Sequence, residues 1–262
     1  VLSVQRNTEG DLVSLPGPIK ESVMWMEIER QSSESADALV SAIRSTLEDV
    51  RVSVEDWQAM RDRMLEVAKI ATNQKISNGE IEPTEAHDFL IWAADNHFTF
   101  LGFREYRLNG SGEGELLEPV SGSGLGLLRD GHHSANSRPV KTLGRKQSPR
   151  QELLILTKTA ARATVHRSTY MDYIGVLQYG EDGKAIGEYR FIGLYTTSAY
   201  NRRPWEIPLV RQNYQKVMEA SGLSIEGHSG KALRQILETM PREELFQATP
   251  DQLLQTSVSI LS

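Results

Sequence analysis

The residues most able to do chemistry lie between Thr164 and Asn201, in TVHRSTYMDYIGVLQYGEDGKAIGEYRFIGLYTTSAYN. This stretch carries His166, Arg167, Asp172, Glu188 and Arg190 among β-branched and aromatic residues. Two apolar runs flank Gly180-Glu181-Asp182-Gly183-Lys184, and Asp-Gly in that place predicts a hairpin because its turn needs residues at φ > 0. Strict alternation along Thr164–Val176 would put His166, Ser168, Tyr170, Asp172 and Ile174 on one face, with Arg167, Thr169, Met171 and Tyr173 on the other. Imidazole, phenol and carboxylate would then share a surface to which the partner strand adds Arg190 and Glu188. Such a surface could hold the charged ends of a small metabolite. The competing reading is a structural hydrogen-bonded network, or a surface that docks missing parts. His166, Tyr170, Asp172 and Arg190 are the candidate effector-binding residues.

Other chemistries find less support. Gly122-Ser123-Gly124-Leu125-Gly126 resembles a phosphate loop, but Leu127 breaks the GxGxxG spacing and no βαβ frame surrounds it. It reads as a Gly-rich loop near an edge strand. The six histidines (87, 97, 132, 133, 166 and 228) include no HExxH pair, and Cys is absent, so no protein metal site is expected. No GxSxG elbow occurs, and the carboxylates fall mostly on helix surfaces.

The elements that would position these residues follow from periodicity. Val1–Arg6 and Asp11–Leu15 form a short hairpin around Asn7-Thr8-Glu9-Gly10, and Ser22–Ile28 alternates as a third strand. Leu39, Ile43, Leu47 and Val50 mark one helix face. Ser53 followed by Asp56 reads as the cap of a second helix through Trp57, Met60, Met64, Val67 and Ile70, stopping near Asn78-Gly79. Glu82-Pro83-Thr84 opens another helix, and Phe98–Leu108 is a strand followed by a turn at Asn109–Gly114. Residues 130–150 read as a polar loop, and Leu153–Thr157 as a short strand. After Pro204 the pattern is helical: Ile207, Val210, Tyr214, Val217 and Met218 precede a C-cap at Gly222. Leu233, Ile236, Leu237 and Met240 form a helix ending at Pro241, and Thr249-Pro250 starts the last one.

Composition narrows the class. The chain has 262 residues, 39% hydrophobic and 24% charged, an ordinary globular balance. A net charge of -6 with no basic run argues against a nucleic-acid surface. No apolar window approaches the length of a membrane span. The absence of Cys fits a reducing cytoplasm, where the chain is expected to reside. Val1-Leu2-Ser3-Val4 begins directly in a strand pattern, as expected of a piece of a longer chain. The β-β-α start matches half of a βαββαβ plan, and half a module cannot bury its own sheet face.

Several segments together carry a resemblance: EAHDFLIWAADNHFTFLGFREY (85–106), GSGLGLLR (122–129), LLILTKTAARATVHRSTYMDYIGV (153–176), GEYRFIGLYTTSAY (187–200) and GKALRQILETMPREELFQ (230–247). ESVMWMEIERQ (21–31) and LEDVRVSVEDWQAMRDRM (47–64) agree with them. Over almost its whole length the chain resembles the large-subunit, NAD-specific glutamate dehydrogenases of bacteria. The resemblance implies an α+β regulatory region that precedes the catalytic domain. Residues 1–52 would be the second half of an ACT-like module, 53–80 a helical linker, 81–205 a PAS-like antiparallel sheet domain and 206–262 a helical segment. It implies no catalytic residue and no cofactor here, with NAD bound by the parent outside this chain. The implied partners are the remainder of the parent chain, further copies in a homo-oligomer and a small-molecule effector. Nucleic acid and membrane are not among them. The alternative is an interaction scaffold that binds no ligand.

Overall fold

The computed structural model describes residues 1–74, 81–109, 116–132, 140–141 and 152–261. The expected helix stop at Asn78-Gly79, most of the Asn109–Gly114 turn and His133 lie outside the described residues, as does most of the 130–150 loop. Two compact units divide at Arg44 and Ser45.

In Val1–Arg44, β1 (Leu2–Arg6) and β2 (Leu12–Glu21) form an antiparallel ribbon. Asn7 closes its turn: the Asp11 amide donates to Asn7 Oδ1 at 2.7 Å, and Gly10 takes φ +91°. The expected third strand at Ser22–Ile28 does not form. Alternation gives that segment the composition of a strand, but a strand needs an edge to pair with, and no described strand pairs there. Helix α1 begins at Ser33.

That helix runs unbroken from Ser33 to Thr72, where the sequence suggested two. Ser53 does not cap; its hydroxyl donates back to the Asp49 carbonyl at 2.8 Å, the bond a mid-helix serine makes. Asp56 faces outward from the helix and accepts the Gly126 amide at 2.8 Å.

The second unit is built on a seven-stranded antiparallel sheet. Its strands are β3 (Phe98–Asn109), β4 (Leu116–Pro119), β5 (Leu125–Gly126), β6 (Val140–Lys141), β7 (Leu154–Arg162), β8 (Tyr170–Tyr179) and β9 (Ala185–Tyr195). The order is β6-β4-β3-β9-β8-β7, with β5 on β3. The Gly-rich loop lies beside β3, which stands between β4 and β9 and is not the expected edge strand, and Gly126 at φ +58° turns the chain there.

One sheet face, with Phe103, Phe191, Ile174 and Val176, shares a core with Met60, Met64, Phe89 and Leu90 from α1 and α2 (Pro83–Trp92). The other face packs Ile192, Leu194 and Met171 with Leu127, Leu128, Ala163 and Val165. After a short helix α3 (Thr197–Asn201) come α4 (Val210–Ala220), α5 (His228–Thr239), α6 (Arg242–Gln247) and α7 (Pro250–Leu261) around Val217, Leu233, Leu237 and Leu253. Thr249 caps α7 reciprocally with Gln252, as its position before Pro250 suggests. No helix among the described residues is long and apolar enough to cross a membrane.

Candidate functional site

The hairpin forms where expected. Gly183 takes φ +74°, and the Gly180 amide donates to the Lys184 carbonyl at 2.9 Å. Its register decides what the charged residues can do. Ile174 pairs with Phe191 and Asp172 with Gly193, whereas Gly175 pairs with Arg190 and Tyr173 with Ile192. Directly paired residues share a face. Asp172 and Arg190 therefore point to opposite sides of the sheet.

The other two candidates lie elsewhere. Residues 164–169 are bends, not strand, so the expected alternation through His166 fails. His166 is exposed at φ +71°. Tyr170 begins β8, is 47% exposed and carries the Arg162 guanidinium 5.1 Å from its ring centre. Tyr170 shares strand β8 with Asp172, Arg190 faces the other side of the sheet, and His166 lies in the bend before β8.

Asp172 is buried against the helical segment. Lys158 Nζ lies 2.6 Å from its Oδ1, and the Tyr195 amide donates to its Oδ2 at 2.9 Å. Burial pushes its pKa up, against the opposing pull of Lys158 and that amide. Lys158 also reaches Glu243 of α6 at 3.5 Å, and Tyr200 donates to the same carboxylate at 2.7 Å. Burial and the hydrogen bond to Glu243 hold the Tyr200 phenol above its usual range. Around this network Tyr195 stacks on Phe246 at 4.9 Å.

Arg190 sits in a second cluster, on the opposite face. Its Nε donates to Tyr173 Oη at 3.0 Å and lies 3.4 Å from Glu188 Oε1, while Tyr173 donates to Glu188. The guanidinium lies 3.9 Å from the Tyr106 ring centre, a cation–π contact. Arg104 beside it donates to the Leu128 carbonyl and pairs with Asp130. Two guanidiniums thus face two carboxylates, and Gly175 opposite leaves room only for these groups. A Cβ there would stand 2.8 Å from Glu188 Oε1. The cluster is filled and charge-compensated, which suits a structural network better than a ligand cradle.

Sequence patterning missed Lys158, Tyr106 and Arg104 because register, not spacing, brings them to these sites. It also missed the joint between α2 and α4. Glu85 on α2 accepts the Leu209 amide at 2.8 Å and Arg211 Nε at 2.7 Å, and Arg211 reaches Asp88 at 2.6 Å. The hydrogen bond from Arg211 is the main cause that holds the Asp88 carboxyl below its usual range. An open groove of about 770 Å³ runs along this joint, lined by Glu85, Trp205, Arg211, Tyr214, Met218 and Leu223 among others. It lies away from the hairpin candidates. Among the described residues no cluster of His, Asp and Glu could hold a metal.

The family described as "Glutamate dehydrogenase, helical motif 1" matches residues 207–262, the helical segment after the joint. The chain is 34% identical over 275 aligned residues to the NAD-specific glutamate dehydrogenase of Halomonas elongata, an alignment that takes in all of this chain. It is 34% identical over 272 residues to the protein of that name from Pseudomonas aeruginosa, again over all of this chain. The Mycobacterium tuberculosis protein of the same name is 27% identical over 97% of the chain and is covered over 15% of its own length. From end to end the chain is similar to one stretch of NAD-specific glutamate dehydrogenases, and it spans 17% of the length of the Halomonas and Pseudomonas proteins.

Proposed function

We propose that this chain is a non-catalytic part of an NAD-specific glutamate dehydrogenase, serving the assembly and regulation of its parent. The parent reaction is oxidative deamination of L-glutamate to 2-oxoglutarate and ammonia, with NAD and glutamate bound outside residues 1–262. The ribbon and helix of Val1–Arg44 fit the second half of an ACT-like module, and the antiparallel sheet fits a PAS-like one. The missing half-module, in the parent chain or in another subunit of a homo-oligomer, completes the first unit.

One observation carries the assembly reading. Val23, Met24, Trp25, Met26 and Ile28 are between 58% and 83% exposed in an extended run outside any strand. Contiguous apolar exposure of this kind marks a surface that another chain segment covers. The scattered placement of His166, Tyr170, Asp172 and Arg190 gives metabolite sensing at those residues no comparable support.

The test is made in the full-length enzyme with Met24→Ser and Trp25→Ser together. Light scattering should show a smaller assembly at concentrations where the unmodified enzyme is fully assembled. An unchanged mass with unchanged NAD reduction would rule out docking through this run. Turnover of glutamate with NAD by the 262-residue chain alone would overturn the non-catalytic assignment.

A further inference from the structure

Leu209, the residue before α4, adopts φ +69° and ψ −51°. An L side chain in that region crowds its own backbone, and glycine is the usual occupant. Leucine has no polar atom with which to stabilise the conformation locally, and this one is buried in the core. Pro208 before it offers no amide to the turn. The strain is held from another element. Glu85, only 8% exposed, accepts the Leu209 amide with Oε2 and the Arg211 guanidinium with Oε1, so one carboxylate grips both sides of Val210. The groove lined by Glu85 and Arg211 opens this grip to solvent.

We propose that Glu85, Leu209 and Arg211 form a strained latch. The carboxylate holds Leu209 at positive φ, and withdrawal of that contact lets Leu209 relax to negative φ. Relaxation redirects the start of α4, while Glu243 and Phe246 keep α6 on the sheet through Lys158, Tyr200 and Tyr195. The latch works independently of docking through residues 23–28.

Alanine and glycine at position 209 both remove the leucine side chain, but only glycine is at ease at positive φ. Glu85→Gln is therefore placed in the Leu209→Ala and Leu209→Gly backgrounds of the 262-residue chain, and amide hydrogen exchange is followed element by element. Leu209→Gly should melt above Leu209→Ala. In the alanine background Glu85→Gln should speed exchange across α4 about tenfold or more while β8 and β9 stay protected; in the glycine background the increase should stay below about threefold. Equal effects in the two backgrounds, or loss of β8 and β9 protection together with α4, would overturn the latch. Should Glu85→Gln prevent folding, the melting order still decides, because an alanine variant at or above the glycine variant leaves no strain to release.

Discussion

At the residue scale, alternation is both what made the hairpin readable and what separates its charges. Asp172 and Arg190 lie on neighbouring strands, yet each is buried with its own partners: Lys158 and the Tyr195 amide for one, Tyr173, Glu188 and Tyr106 for the other. A buried charge without such partners would cost several kcal/mol, so both networks are conditions of folding. Gly175 is the position at which the second network is most sensitive to volume. A methyl group there meets Glu188 Oε1 at 2.8 Å and Tyr173 Cε1 at 2.9 Å, both held by hydrogen bonds. Gly175→Ala should therefore destabilise the chain by about 1–3 kcal/mol, as overpacking of a filled site does. In a domain of this size that is a fall in melting temperature of several degrees. A variant melting with the wild type would mean that Glu188 and Tyr173 move aside freely, and that space for a ligand can open there.

At the element scale, the α2–α4 joint has a pH dependence whose sign follows from Asp88. Arg211 lowers the Asp88 pKa below 3.8, so the folded chain holds this proton less tightly than the unfolded chain does. The contribution is complete above 3.8 and is lost as pH falls through the folded value. Melts of the wild type and Asp88→Asn should differ near neutral pH and draw together as the pH falls below 3.8, a small effect because the Asp88 side chain is 47% exposed. A difference that grows on acidification would contradict the assigned sign. The elements on each side of this joint were legible for different reasons. The 180–184 turn declares itself through Asp182-Gly183, and α7 through Thr249-Pro250, because caps and tight turns are local chemistry. The length of α1 was not legible: Ser53 and Asp56 spell a cap, and only the tertiary bonds from Gly126 and Arg129 to Asp56 give the acid another task. Nor could spacing announce Leu209, whose conformation depends on a carboxylate 124 residues earlier in the chain.

At the scale of the whole molecule, the two units differ in what holds them. Among residues 1–44 Val4 is the one large apolar side chain that is buried, while Leu2, Leu12, Val13, Leu15 and Ile19 of the ribbon are exposed together with residues 23–28. A two-stranded ribbon with so little buried surface has marginal stability of its own. The buried clusters belong to Ser45–Ser262, where both sheet faces and the helical segment are covered. The cooperative melt should therefore report on that unit. Removing residues 1–32 is expected to leave the melting temperature within about two degrees of the intact chain, a shift below that of a 1 kcal/mol change. The intact chain is expected to self-associate as its concentration rises and the deleted chain is not, since the deletion removes most of the exposed apolar surface of the first unit. Sedimentation of the two chains over a range of concentrations, beside their melts, separates the outcomes. A deletion that lowered the melting temperature by many degrees would assign residues 1–32 to the stability of the isolated chain, and their apolar surface could no longer be reserved for a partner. A deletion that still self-associated would place the sticky surface elsewhere, with exposed Val258 and Ile260 of α7 the next residues to change.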